Sequence, residues 1–151
     1  MIRDDIKAAL VAAMKGGDKA GTAAIRLIQS EIKNRDIEAR TGGAPADDDA
    51  LVVEVLQKMV KRRRESIEMY EKGGRQELAD VEAAEVAVIE RFLPQQMSDD
   101  DTRAAIEAIK AELGAASVKD MGRVMAVLKE RHATRLDMAR ASGLVKAALA
   151  G

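Results

Sequence analysis

The sequence lacks cysteine and tryptophan, and it has one histidine, one tyrosine and one phenylalanine. The lack of cysteine excludes a disulfide scaffold, a thiolate metal site and a cysteine nucleophile. With His132 as the single histidine, a metal site built on several imidazole ligands is excluded as well. Aromatic residues make up 1% of the chain. This scarcity argues against a β-sandwich or barrel, which draws on aromatic and β-branched side chains.

Long apolar runs and a strong excess of one charge are also lacking. No stretch approaches the ~18 apolar residues that a membrane-spanning helix needs, so we expect no membrane-embedded part. Residues 1–10 carry charges too early for a secretory signal, which together with the lack of cysteine favours a cytoplasmic location. The 25 basic and 26 acidic residues give a net charge of −1. A uniformly basic nucleic-acid binder is thereby excluded, whereas a local basic patch is not.

Apolar residues at helical spacing fill most of the chain between glycine and proline breakers. Of the 151 residues, 47% are apolar and 34% are charged, as expected of helices with solvated outer faces. The sequence predicts an all-α fold. Residues 1–97 are predicted to form an N-terminal bundle of about four helices, two of them long. Residues 98–151 are predicted to form a small C-terminal domain of three helices.

Two charged residues, Arg63 and Glu85, lie on the apolar stripes of the third and fourth helices. An antiparallel hairpin across Gly73-Gly74 brings these stripes together, and a charge on an apolar face needs a partner or access to water. We therefore predict an Arg63–Glu85 ion pair, with Glu82 as a substitute acceptor and an exposed, unpaired Arg63 as the alternative. The apolar stripes predict core positions that include Ile6, Leu10 and Met14 in the first helix and Leu78, Val81, Val88 and Ile89 in the fourth.

No catalytic constellation is visible in the sequence. It has neither a phosphate-binding loop nor a dinucleotide fingerprint, and no serine has a nucleophile context. The acidic runs 47–49 and 99–101 are interpreted as charges at helix N-termini, because consecutive carboxylates on a helix point in different directions. His132 is interpreted as a surface residue near a helix end. We assign no catalytic, cofactor-binding or metal-binding residue.

Basic residues on outward helix faces are the remaining candidates for a functional site. The alternative interpretation is a solvated surface, which for the third helix Glu54, Glu65 and Glu68 would neutralise. Without aromatic residues placed for base stacking, phosphate contacts here would recognise the shape and backbone of an RNA rather than its sequence. The candidates are Lys58, Lys61 and Arg62 on the third helix and Lys119, Arg123, Arg131 and Arg135 in the C-terminal part.

Four blocks spread over the chain resemble the YqeY-like family, whose shared domain is called GatB/YqeY. They are DDIKAALVAAMKGGDKA at 4–20, IRLIQSEIKNRDI at 25–37, KMVKRRRESIEMYEKGGRQELADVEAAE at 58–85 with FLPQQ at 92–96, and KDMGRVM at 119–125. The resemblance implies a two-part helical fold. It also implies a role near tRNA, because the family shares a domain with the tail of the B subunit of tRNA-dependent aspartyl/glutamyl amidotransferase. In that enzyme the tail contacts tRNA and catalysis lies in other domains.

The resemblance leaves three functions open. The leading expectation is a stand-alone, non-catalytic, tRNA-associated module. The first alternative is an adaptor that docks a partner such as an aminoacyl-tRNA or amidotransferase enzyme, and Leu27 and Met69, which lie off the apolar stripes, favour it. The second is an accessory activity of the carbon–nitrogen ligase type with glutamine as amido-N-donor, a label that family members often carry.

One segment departs from the family pattern. Family members commonly carry Lys-Gly-Arg-Ala-Asp-Gly before the last helix. Residues 132–138 read HATRLDM, which keeps Arg135 and Asp137 but has neither glycine. This loss argues against a ligand that needs close approach to the backbone of this loop.

Overall fold

The protein, described over residues 1–150 by a computed structural model, is built in that range from seven α-helices and two short 3₁₀ turns, without a β-strand. The all-α prediction is therefore confirmed. The helices are α1 (Ile2–Lys15), α2 (Lys19–Ala39), α3 (Asp48–Lys72), α4 (Gln76–Glu90), α5 (Asp99–Leu113), α6 (Met121–His132) and α7 (Met138–Ala150).

The chain divides into two compact units, one of Met1–Leu93 with α1–α4 and one from Pro94 onwards with α5–α7. Residues 94–97, which the sequence prediction assigned to the N-terminal domain, thus belong to the second unit. Hydrogen bonds account for this. The backbone N–H of Met97 donates to the carbonyl oxygen of Arg135 at 2.9 Å, and the side-chain amide of Gln96 donates to the carbonyl oxygen of Thr134 at 3.0 Å.

The core of the first unit is aliphatic and draws on all four of its helices. Each fully buried branched side chain contributes roughly 1.5–3 kcal/mol through burial. The buried members are Ile6, Ile25, Ile28, Ile32, Leu51, Val52, Val55, Leu56, Met59 and Ile89.

Two predicted core residues of this unit are exposed instead. The side of α4 that faces the core carries Ala79, Val86 and Ile89. Val81 lies on another side of this helix and is 57% exposed. Met14 is 54% exposed because it lies in the last turn of α1, where Ala13 packs on the core. The prediction of core positions was wrong at these two residues.

The α3–α4 hairpin turns at Gly73-Gly74, where Gly74 adopts a φ of +72° that favours glycine. Between the two helices of this hairpin, Arg63 Nε lies 2.9 Å from Glu85 Oε2 and 3.8 Å from Glu82 Oε2. The side chain of Arg63 is only 15% exposed. The two stripes thus bring a partly buried cation and two carboxylates together.

The second unit has its own aliphatic core between α5, α6 and α7. Its buried members are Ile106, Ile109, Val124, Leu128, Leu136, Ala141, Val145 and Leu149. Ser98 caps α5 by accepting a hydrogen bond from the backbone N–H of Asp101, and Gly114 ends it in the left-handed region. Lys110 Nζ donates to the carbonyl oxygen of Ala148 at 2.9 Å, which joins α5 to the last turn of α7.

Candidate functional site

Two of the three basic residues predicted on α3 make weak surface contacts with carboxylates. Lys58 Nζ lies 3.3 Å from Glu54 Oε1, and Arg62 Nη1 lies 3.9 Å from Glu31 Oε2 on α2. Lys61 is exposed and has no ion-pair partner within residues 1–150. Two of the three cations are thus partly neutralised, and Lys61 retains its full charge for a ligand.

The predicted basic residues of the second unit differ in whether a carboxylate neutralises them. Arg131 donates to both carboxylate oxygens of Glu112, at 2.6 and 3.2 Å, and Arg123 lies 2.8 Å from Asp120 Oδ1. Arg135 Nε donates to the carbonyl oxygen of Gln95 at 2.9 Å, so its charge is not neutralised by this bond.

Two carboxylates next to these arginines have pKa values below their ordinary range. Hydrogen bonds from Arg131 lower the pKa of Glu112. Hydrogen bonding by the backbone N–H of Ala116, and then by Arg123, lowers the pKa of Asp120. A phosphate that binds Arg131 or Arg123 at neutral pH must therefore compete with a charged partner already in place.

Charge is distributed unevenly within the second unit. Residues 99–113 contain two basic and five acidic residues, whereas residues 118–150 contain seven basic and three acidic residues. Lys129 and Lys146 are exposed and have no ion-pair partner in the part of the chain that the structure describes. Neither lysine is among the residues predicted from the sequence, because the lack of a carboxylate partner depends on how the helices pack.

An exposed, predominantly basic surface runs along α6 and the turn before it. Lys119, Arg123 and Lys129 lie on it, with Glu130 as an acidic neighbour and the small residues Gly122 and Ala126 between the cations. A Cβ built on Gly122 would meet no atom within 4 Å, so the backbone is open there. We call Lys119, Gly122, Arg123, Ala126 and Lys129 the α6 face. The recurrence of exposed cations and small residues three or four positions apart is the sequence signal that would have revealed it.

The acidic runs are engaged in protein contacts. Asp49 accepts a hydrogen bond from the backbone of α1, and Asp48 pairs with Arg3. Asp99 pairs with Arg140 at 2.7 Å. Among the described residues no group of three or more His, Cys, Asp and Glu side chains is placed to hold a metal ion. Within the same residues, no helix has the length and apolar character needed to cross a bilayer.

These features define a class of protein. It is an all-helical chain of two units, with charged side chains deployed in inter-helix ion pairs and on exposed helix faces. A family model described as Yqey-like protein matches residues 3–149, and the chain therefore belongs to the YqeY-like family.

Several fungal proteins are similar to this chain. An uncharacterized protein of Schizosaccharomyces pombe is 30% identical over 62% of this chain and 73% of its own length. The protein called altered inheritance of mitochondria protein 41, mitochondrial, is 28% identical in Pyrenophora tritici-repentis, over 83% of this chain and 70% of that protein. The protein of that name in Eremothecium gossypii is 35% identical over 61% of this chain, which spans only 46% of the relative.

Proposed function

We propose that this protein is a stand-alone, non-catalytic helical module that associates with tRNA through its second unit. The α6 face carries the proposal. It presents Lys119, Arg123 and Lys129 around small residues over which a phosphate backbone is able to approach the helix closely. The domain that the family shares with the tRNA-contacting tail of the amidotransferase B subunit supports tRNA as the RNA.

Binding is expected to be weak and sensitive to salt. Each phosphate that a cation neutralises releases counterions, so three or four contacts give a slope of log K against log salt of roughly −2 to −4. A chain of net charge −1 has little long-range attraction for RNA, so micromolar affinity at best is expected of the protein alone. The other predicted cations lie outside the α6 face. Of these, Lys58, Arg62 and Arg131 are paired with carboxylates, whereas within residues 1–150 Lys61 and Arg135 are not.

The test is a tRNA-binding titration of the full-length protein at several salt concentrations. The triple variant Lys119→Ala, Arg123→Ala, Lys129→Ala is expected to bind at least about tenfold more weakly, with a salt slope shallower by roughly 2–3. A control that loses three exposed positive charges from the first unit, Lys15→Ala, Lys19→Ala, Arg91→Ala, should keep the wild-type slope. Failure of the wild type to bind tRNA at low salt, or equal effects of the two triple variants, would contradict the proposal.

A second candidate function is an adaptor for an aminoacyl-tRNA or amidotransferase enzyme. Leu27 is 41% exposed and Met69 is 73% exposed, and both are available to a protein partner. Co-purification with such an enzyme that is lost in Leu27→Gln or Met69→Gln but kept in the α6-face variant would favour the adaptor.

Under either function, the pure protein should neither hydrolyse glutamine nor consume ATP. Turnover abolished by a point substitution would instead favour the ligase-type alternative.

For location we propose the cytoplasm of the organism that encodes the chain. The absence of cysteine supports it, because the chain does not depend on an oxidising compartment for disulfide bonds. Some of the fungal relatives carry the word mitochondrial in their names. Fractionation of cells that express the tagged full-length gene at its native level distinguishes the two compartments, and recovery in the organelle fraction would contradict this proposal.

A further inference from the structure

A groove of about 220 Å³ lies between α1 and α2 in the first unit. Its floor includes Ile6 and Ile32, which belong to the buried core, and Lys7 and Lys33 lie along it on the two helices. The remaining lining residues are Arg3, Gln29 and Asp36. The groove is therefore apolar at its base, and three basic residues and one acidic residue, Asp36, line its walls.

The lysines of this groove differ from its arginine in whether they pair with a carboxylate. Arg3 pairs with Asp36 at 2.7 Å and with Asp48 at 2.8 Å. Lys7 and Lys33 are exposed, and neither has an ion-pair partner within residues 1–150. The groove thus presents two positive charges that the described part of the chain leaves unneutralised.

Exposed apolar side chains continue the same surface on both helices. On α1, Val11 and Met14 follow Lys7 at helical spacing and are 49% and 54% exposed. On α2, Arg26, Lys33 and Ile37 share a side, and Ile37 is 47% exposed. The two rows meet where the Arg26 guanidinium lies 4.0 Å from the Met14 sulfur. We call Lys7, Val11, Met14, Arg26, Lys33 and Ile37 the α1–α2 face.

We propose that the α1–α2 face binds an acidic amphipathic helix of a partner protein. The apolar side chains of that helix fill the groove above Ile6 and Ile32 and contact Val11 and Met14, as anchors at i, i+3, i+4 and i+7 do in helix-in-groove recognition. Its carboxylates pair with Lys7 and Lys33. The flexible, polarizable thioether of Met14 adapts to the shape of the incoming side chains.

The composition of the face favours a protein helix over an RNA backbone. Phosphate contacts use cations and hydrogen-bond donors, and exposed Val11, Met14 and Ile37 offer neither. An acidic amphipathic helix uses both parts of the surface, since it buries the apolar residues and neutralises the lysines. Asp4, at the start of α1 on the same side, repels carboxylates at that end and so favours contact nearer Met14. The inference is independent of the tRNA proposal, because it concerns the other unit.

The first experiment locates the partner by photo-crosslinking with the full-length protein in its native host. A benzophenone amino acid replaces Val11 on the face, or Ala87 on the exposed side of α4 as the control position. The probe at Val11 is expected to crosslink to a protein segment that has apolar residues at helical spacing and acidic residues beside them. The probe at Ala87 is not expected to do so. Crosslinks from Val11 to RNA, to a second copy of this chain or to segments without acidic residues would overturn the proposal, as would none above the Ala87 control.

The second experiment measures binding of a synthetic peptide of the crosslinked segment to the purified full-length protein. The variant Lys7→Glu, Lys33→Glu is expected to weaken binding about tenfold or more, and lysine in place of the facing peptide carboxylates should restore it. The control Lys61→Glu, Arg91→Glu makes the same charge change at exposed positions outside α1 and α2 and should stay within about twofold of wild type. Equal losses in the two variants, or no rescue by the reversed peptide, would refute direct pairing with the groove lysines.

Discussion

Arg63 is a charged residue on an apolar helix face, and its position decides how much its ion pair stabilises the fold. Its side chain is 15% exposed and that of Glu85 is 32% exposed, so the pair lies between a surface pair and a buried one. Exposed pairs contribute about 1 kcal/mol or less, whereas removing one partner of a buried pair costs about 3–5 kcal/mol.

We expect Arg63 and Glu85 to be coupled by about 1–2 kcal/mol in the free energy of unfolding. Arg63→Met and Glu85→Gln, singly and together, form the double-mutant cycle, measured by urea unfolding. Glu82→Gln serves as the matched control, because its carboxylate is 3.8 Å from Arg63 Nε, against 2.9 Å for Glu85. Coupling near zero for Glu85, or larger coupling for Glu82, would show that this contact does not stabilise the protein.

Asp36 provides a test by pH. Hydrogen bonds from Arg3 hold the pKa of Asp36 below its ordinary value of 3.8. The unfolded chain therefore takes up the proton at a higher pH than the folded one. The stabilisation from this group is complete above its unfolded pKa and is lost as the pH falls through the folded pKa.

On acidification below about pH 4, the wild type should lose more free energy of unfolding than Asp36→Asn, which cannot titrate at this position. Because the Asp36 side chain is 40% exposed, the difference should amount to about 1 kcal/mol or less. Urea unfolding of the wild type and of Asp36→Asn at pH 7, 5, 4 and 3 measures it. Parallel curves for wild type and Asp36→Asn would contradict the effect.

The two ion-pair centres differ in how far the sequence could predict them. Arg63 and Glu85 lie on neighbouring helices of one hairpin, so helical periodicity and the turn at Gly73-Gly74 were enough to suggest their contact. Arg3 joins Asp36 and Asp48, which are 33 and 45 residues away. Nothing local indicates that pairing, because it depends on how three helices pack.

At the scale of elements, the acidic run before α3 joins two helix N-termini. Asp47 accepts a hydrogen bond from the backbone N–H of Asp49 and so begins α3. Asp49 Oδ1 accepts the backbone N–H of Ile2 at 3.0 Å, and so supplies α1 with a cap that its own N-cap residue, Met1, does not provide. The sequence interpretation of this run as helix N-terminal charge described α3 and missed its second role in α1.

Asp49→Ala should destabilise the protein by about 1 kcal/mol, as expected when a helix N-terminus loses its cap. The physical reason is the backbone N–H of Ile2, which would lose its acceptor. Urea unfolding gives the free energy, and hydrogen exchange of the amides in the first turn of α1 should accelerate. Glu65→Ala, which removes an exposed acidic residue from the middle of α3, is the control. Unchanged exchange in Asp49→Ala would mean that water replaces the cap without loss.

Local signals set the ends of two helices. Helix α2 begins at Lys19 because Asp18 caps it by accepting the backbone N–H of Gly21 at 2.9 Å. Helix α4 ends at Glu90, four residues before Pro94. Proline disfavours helical backbone at the residue before it, so Pro94 acts on Leu93 as well as on itself.

At the scale of the whole molecule, the connections between helices differ in how well they are held. The link around residues 41–44 is exposed, and Gly42 and Gly43 both have positive φ. The link at 94–98, by contrast, is tied to residues 134–135 by the hydrogen bonds of Gln96 and Met97. Exposed, irregular backbone is where proteases cut first.

Brief treatment with trypsin should therefore cut first after Arg40, which lies at the end of α2 next to this loop. Mass spectrometry of a time course identifies the first fragments, and Arg62, Arg63 and Arg64 inside α3 are the internal control for cleavage in a helix. Their early cleavage would show that α3 does not persist as a continuous helix of 25 residues.

The sequence by itself determined the helical class, the number of helices and most of their inward faces. Spacing within one helix decides which side is apolar, and glycine and proline act on their own neighbours. Only the tertiary structure decided which outward cations pair with a carboxylate and which do not. A helical wheel places Arg62, Lys119 and Arg131 outside alike, yet Arg131 meets Glu112 on another helix and Lys119 meets no carboxylate among the described residues. The reason is that the surroundings of an outward side chain belong to neighbouring helices, whose placement follows from the packing of the core.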